Sequence, residues 1–271
     1  MAFGIPDSRE PRLTYGSYLK VEELTALQQL ESDPPRHDEM LFIIIHQVYE
    51  LWFKQLLHEL DAIVTKLKDG DALGATRLLR RCVEIERVLI QQVLVLETMA
   101  PNDFLTFRDH LMPASGFQSA QFRCLEALCG VRNPKTLEQF GAGSPARNAL
   151  EQRLAARSLT QVLYDLLRAR GFDLPVGADD VSRDRRVRAL ARIYQAPEAC
   201  YDLYMLAEGL IEFDELFTLW RLHHVQMVER MIGAKPGTGG SAGVAYLKTT
   251  LDRKFFPELW ELRSHLSPQG Y

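Results

Sequence analysis

Apolar residues recur every three or four positions along most of this chain, the spacing of one face of an α-helix. No segment shows the strict alternation of an amphipathic strand, so the pattern predicts an all-α fold, a helical bundle. The periodicity is densest over 38–67. There Phe42, His46, Tyr49, Phe53, Leu56 or Leu57, Leu60 and Leu67 share one side, while Gln47, Glu50, Lys54, His58, Asp61 and Thr65 gather on another. Pro34 and Pro35 precede this helix, and Asp38 and Glu39 place acid in its first turn, where the helix dipole favours it. One imidazole, His46, thus stands on the apolar side among aromatic neighbours. Two readings are open for it: a core histidine bonded to a backbone carbonyl, or a ligand or polar contact inside an aromatic pocket.

The other elements follow in order. Residues 1–12 read as a polar, mobile arm. Tyr15 and Tyr18 lie in the next short segment, and Val21 to Leu30 reads as a short helix. After the turn at Asp69-Gly70-Asp71, a long helix to about Met99 carries the stripe Leu78, Cys82, Ile85, Leu89, Val93 and Leu96. Pro101 starts a new helix in which Arg108 stands one turn after Phe104. Pro113-Ala114-Ser115-Gly116 breaks it, and another helix runs from Phe117 to about Cys129. Residues 133–145 read as loop, 146–170 as one amphipathic helix, and 171–180 as loop again. From these, 131–196 is expected to be a peripheral helical insertion into a main domain formed by 1–130 and 197–271.

Pro197 to Leu210 is read as helical, followed by a second informative helix, Leu210 to Ile232. Phe213, Phe217, Trp220, His224, Met227, Val228 and Met231 lie along one of its faces. The adjacent His223 points about 100° away, so His224 is the member of the pair expected to be buried. The next stretch, Gly233 to Gly243, holds five glycines and reads as a mobile loop. A final helix is expected from Val244, kinked near Pro257.

Composition narrows the chemistry. A net charge of -4 in 271 residues argues against an electrostatic nucleic-acid binder. The longest apolar run, Met40 to Ile45, is far short of the ~18 residues needed to span a bilayer. No basic region followed by an apolar segment opens the chain, so no signal peptide is expected. The cysteines Cys82, Cys124, Cys129 and Cys200 form no C-x-x-C pair and read as free thiols of a cytoplasmic protein.

Two histidines on apolar faces of two long helices raise the question of a metal or cofactor. The Glu-x-x-His pairs of a di-iron carboxylate bundle are absent. His58-Glu59 is not followed by the second histidine of a zinc hydrolase. Lys235 precedes its glycines, unlike a P-loop lysine, and no C-x-x-C-H is present to attach haem covalently. Elimination leaves two readings. One is non-covalent haem held by one histidine with the other in the distal pocket; the other is a helical protein with two core histidines.

Several motifs then resemble those of the tryptophan 2,3-dioxygenase family. They are Leu13-Thr14-Tyr15-Gly16-Ser17-Tyr18, the run from His37 to Gln47, and Glu50-Leu51-Trp52-Phe53-Lys54-Gln55. Phe104-x-x-Phe107-Arg108, Pro113-Ala114-Ser115-Gly116-Phe117-Gln118-Ser119, Trp220-Arg221-x-x-His224 and Gly237-Thr238-Gly239-Gly240-Ser241 continue the match, which spans about 13–130 and 197–262. One departure is Ala242, where the family loop carries Ser. The resemblance implies a haem b dioxygenase, active as Fe(II), that acts on L-tryptophan and O2. It implies His224 as the iron ligand and His46 on the distal side near the indole N–H, as a catalytic and substrate-binding residue. It further implies Phe42 and Phe104 as pocket walls, Arg108 on the substrate carboxylate, Thr238 on the substrate head group, and Ser115 and Gly116 near haem and substrate. Tyr15 and Tyr18 would reach the site from a neighbouring subunit of a homotetramer.

Overall fold

The computed structural model describes residues 13–240 and 242–266. The arm at 1–12 and Ser241 of the glycine-rich motif lie outside the described residues. Among those described there is no strand, and the α-helices are α1 (Tyr15–Leu19), α2 (Val21–Thr25), α3 (His37–Lys68), α4 (Ala72–Leu96), α5 (Pro101–Phe107), α6 (Ala120–Leu128), α7 (Pro145–Ala155), α8 (Leu159–Ala169), α9 (Asp180–Gln195), α10 (Tyr201–Ile232), α11 (Val244–Lys248) and α12 (Pro257–Glu261). The all-α expectation is met. No helix is long and apolar enough to cross a membrane among the described residues.

The centre of the molecule is α4, packed between α3 and α10. Leu79, Cys82, Leu89 and Val93 of α4 are fully buried between Leu56, Leu60 and Ile63 of α3 and Leu206, Leu210, Phe213 and Phe217 of α10. Each burial of this kind removes apolar area from water, at ~25 cal/mol per Å². The turn between α3 and α4 follows from its residues. Gly70 takes a positive φ of 79°, and the Asp71 carboxylate caps α4 by accepting from the Gly74 amide at 2.8 Å. A Cβ at Gly74 would collide with that carboxylate, so the cap and the glycine belong together.

Polar groups tie the layers. Arg81 of α4 donates to Glu59 of α3 at 2.6 Å, and the Gln92 amide donates to the Ile45 carbonyl at 2.9 Å. Asp214 of α10 is fully buried and accepts from the Phe255 and Phe256 amides and from Trp260 Nε1 at 2.9–3.1 Å. These bonds replace a helical ladder. The single kinked helix expected after Val244 is instead two short helices, α11 and α12, joined by a segment held on Asp214.

Other boundaries differ from expectation, among them the helix expected over Val21 to Leu30, which ends at Thr25. The 146–170 helix is two helices, because Ser158 N-caps α8 in a capping box with Gln161. The second informative helix begins at Tyr201, a single helix of 32 residues to Ile232. The helix expected from Phe117 starts at Ala120, capped by Ser119, after a short 3-10 turn over Gly116–Gln118. Within 131–196, Leu159, Val162, Leu163 and Leu167 of α8 and Val187, Leu190 and Ile193 of α9 are buried in the same core as α3, α4 and α10.

One core residue works against stability. Glu86 on α4 is wholly buried, and neither carboxyl oxygen has a hydrogen-bond partner. Burial pushes its pKa well above the ordinary carboxylate range, with Arg221 opposing weakly. The folded protein therefore holds a proton that the unfolded chain releases above its own pKa of roughly 4.3. This residue's contribution to stability falls as pH rises through that value. Glu86→Leu is expected to raise stability at pH 7 by about 1–3 kcal/mol, measured by denaturant unfolding. An unchanged or lowered midpoint would show that the carboxyl has a partner.

Candidate active site

α3 and α10 approach one another through aromatic rings. Tyr49 meets Trp220 edge-on at 6.0 Å, and Phe53 meets it edge-on at 6.2 Å. Beside this aromatic cluster lies a cavity of about 340 Å³. It is walled by Phe42, His46 and Phe53 of α3, by Trp220, His224 and Val228 of α10, by Phe104 and Arg108, and by the 115–119 and 237–247 segments. Both candidate histidines open onto it.

His46 joins features of both readings left open for it, a bond to a backbone carbonyl and a place on the aromatic cavity. Ile45, its neighbour, is the buried residue, whereas the His46 ring faces the cavity. Its Nδ1 lies 2.7 Å from the Phe42 carbonyl one turn earlier, so Nδ1 carries the proton and donates it there. That leaves the Nε2 lone pair for the cavity. The Phe42 ring lies against the imidazole at 4.1 Å, tilted by 36°, and contacts Phe104 at 5.7 Å. Burial lowers the His46 pKa, partly opposed by the Phe42 carbonyl and by Glu50. Burial, with His46 adding to it, pushes His224 down to about 4. Both rings are neutral at pH 7. His224 stacks on Trp220 one turn before it, at 5.6 Å and 15°, and no described residue is hydrogen-bonded to its ring nitrogens.

The far wall is made of loops. Arg108 opens a 3-10 turn at the end of α5, and its guanidinium is mostly shielded, at 13% exposure. It donates through Nη2 to the Pro236 carbonyl of the glycine-rich loop. Thr238 Oγ1 donates to the Ala114 carbonyl at 2.7 Å. The loop therefore lies against the 113–116 segment. The fit needs glycine at Gly239, where a Cβ would stand 2.5 Å from that of Ser115. Gly239→Ala should lift the loop off this segment, raising KM, lowering kcat and speeding proteolysis near Lys235. Cleavage at the wild-type rate, with unchanged kinetics, would mean that the loop does not cover the site.

The structure brings Phe42, His46, Phe104, Arg108, Ser115, Gly116, His224 and Thr238 around one cavity. It does not bring Tyr15 and Tyr18 there: on α1 they are 79% and 70% exposed. The cavity also has residues with no site role assigned from sequence, although Arg221 stands in one of the motifs. Arg123 and Glu126 of α6 and Arg221 of α10 line it while nearly buried. Arg123 and Glu126, three apart on a helix, look like an ordinary exposed ion pair. The one available signal was Arg221, three residues before His224 on the same helical face.

These features coincide with a family. The tryptophan 2,3-dioxygenase family model matches residues 4–153 and 173–266. The tryptophan 2,3-dioxygenase of a Nocardioides species is 51% identical over 260 residues, covering 94% of this chain and 95% of the relative. Those of Herpetosiphon aurantiacus and Myxococcus xanthus are 44% identical over 263 residues and 41% identical over 274. They cover 94% and 98% of this chain, and 98% and 94% of the relatives. On these matches the chain belongs to the tryptophan 2,3-dioxygenase family.

Proposed function

We propose that this enzyme uses haem b to insert both atoms of O2 across the indole C2–C3 bond of L-tryptophan, giving N-formylkynurenine. The dioxygenase activity follows from the family. The haem and the residue roles rest on one observation: a single cavity presents two neutral imidazoles, an aromatic wall and a shielded arginine.

The residues fit haem. Among those described, no three His, Cys, Asp or Glu side chains converge to hold a bare metal ion. A metal here would bring most of its own ligands, as haem iron does. His224 offers an unprotonated nitrogen with no competing hydrogen bond, and Trp220 fixes its ring plane. His224 is therefore the residue that would hold the iron. When bound, ferrous haem supplies the site at which O2 is taken up and activated.

The chain's own side chains do the rest. Phe42 and Phe104 give a flat apolar wall suited to indole. His46 Nε2, left unprotonated by the bond to Phe42, accepts from the indole N–H and orients the ring. Arg108 keeps donors to spare beyond the one given to Pro236, enough for a carboxylate. Thr238 and the glycine-rich loop then close over the amino-acid head group and exclude water. Incubating the protein with L-tryptophan under 18O2 should give a product carrying two labelled atoms. A product with one label, the other oxygen coming from water, would contradict dioxygen insertion.

The functional form is a cytoplasmic homotetramer in which α1 of one subunit completes a neighbour's site. Tyr15, Tyr18, Leu13 and Leu27 are all more than half exposed on a segment with little of its own chain to pack on. Deleting residues 1–20 is expected to lower activity while leaving helical content intact. A fully active monomer in sedimentation would contradict this assembly.

A further inference from the structure

At one edge of the cavity two guanidinium groups share a single carboxylate. Arg123 Nη1 donates to Glu126 Oε2 at 2.7 Å, and Arg221 Nη2 donates to Glu126 Oε1 at 3.4 Å. Arg221 spends another donor on the Arg253 carbonyl at 2.7 Å and stacks over Phe217 and Phe255. Arg123 is held between Phe117 and Phe122. These side chains are only 10%, 7% and 4% exposed for Arg123, Glu126 and Arg221, respectively. The three side chains bring two guanidinium groups to one carboxylate, and next to Arg221 the Asp214 carboxylate is offset by Arg253, so one positive charge is left over; Arg123 Nε is buried with no hydrogen-bond partner among the described residues. An unbalanced buried cation costs several kcal/mol unless an anion meets it. All three residues line the cavity, so its occupant can supply that anion. Arg108, the cation assigned to the substrate head group, is engaged at the glycine-rich loop.

We propose that Arg123 and Arg221, bridged by Glu126, form a carboxylate subsite that anchors a propionate of the haem. This rests on the haem reading above. The subsite would fix the rotation of the macrocycle in its plane, because a ring held through His224 alone is free to turn about the iron–nitrogen bond. A guanidinium meets a carboxylate by paired hydrogen bonds, which gives orientation as well as affinity. It also explains why charged groups persist in a wall otherwise built of Phe117, Phe122 and Trp220.

The test compares haem with haem dimethyl ester, which lacks the propionate charges. Each is titrated into the haem-free protein, and its release to an excess of a haem-scavenging globin is timed. Wild type should hold haem about tenfold or more tighter than the ester. Arg123→Gln combined with Glu126→Gln, which removes opposite charges together, should shrink that ratio towards one while far-UV circular dichroism is unchanged. Equal retention of haem and ester by wild type would overturn the proposal without touching the haem reading, and so would a ratio that survives in the double variant. Failure of wild type to take up either porphyrin would instead overturn the haem reading itself. The wild-type comparison stands even if the variants do not fold.

Discussion

His224→Ala is expected to purify without haem, with no Soret absorption, while retaining its helical circular dichroism. Among the described residues, no other His, Cys, Asp or Glu cluster offers a metal site, and His224 is the lining imidazole with both nitrogens free of hydrogen bonds. Loss of a supporting residue around a metal costs ~10–100-fold in affinity. Loss of the sole protein ligand should exceed that range. His46→Ala should behave differently, keeping haem and losing activity. Its Nδ1 is committed to the Phe42 carbonyl, and its remaining nitrogen serves the substrate side. A colourless His46→Ala beside a red His224→Ala would reverse the assignment. Exogenous imidazole supplies a further check: it should restore colour to His224→Ala and leave His46→Ala unchanged.

Arg108→Leu should raise KM for L-tryptophan by about 10–150-fold, the range of a charge-assisted hydrogen bond of ~1.5–3 kcal/mol. Its haem spectrum should match wild type. The substitution has two consequences that can be separated. It removes the cation for the substrate carboxylate, and it frees the Pro236 carbonyl that helps hold the loop. Tryptamine, which lacks the carboxylate, reports the second effect alone. Wild type should prefer tryptophan over tryptamine strongly, and Arg108→Leu should nearly lose that preference. If both enzymes discriminate equally, Arg108 serves the loop only and the carboxylate is bound elsewhere.

Much of this fold was legible in the helical period. α3, α4 and α10 were readable because long apolar stripes leave few alternatives to a buried helix. What the stripe could not reveal was which part of the interior is filled. On α3 the residues facing the cavity and those facing the core belong to one broad apolar arc, so the period alone left His46 open between core and pocket; Ile45 is the packed residue. A cofactor pocket and a core have the same hydropathy and differ only in whether protein atoms fill them. The break at Ser158 was hidden because Leu150, Leu154 and Val162 keep close to one period across it; the Ser-x-x-Gln capping box was the available sign. The final segment could not be read locally, since its amides are satisfied by Asp214, some 40 residues earlier.

The site divides in the same way. Phe42, Arg108, Ser115 and Thr238 were legible through motifs, whose spacing the α5 turn and the glycine-rich loop convert into proximity. Arg123 and Glu126 were not, because a charged i, i+3 pair on a helix reads as solvent-facing. Only tertiary packing under Phe117 and Phe122 removes it from water. Glu86 was equally hidden, being an acid in an ordinary helix whose burial depends on α3 and α10 closing over it.

The most direct test of the account is the absorption spectrum of the haem-loaded protein titrated with L-tryptophan. The expected result is a Soret band from a histidine-ligated haem that shifts saturably with L-tryptophan, because the indole packs on the Phe42–Phe104 wall and meets His46 in the cavity that His224 also lines. A protein that takes up no haem, or a Soret band indifferent to saturating L-tryptophan, would contradict it.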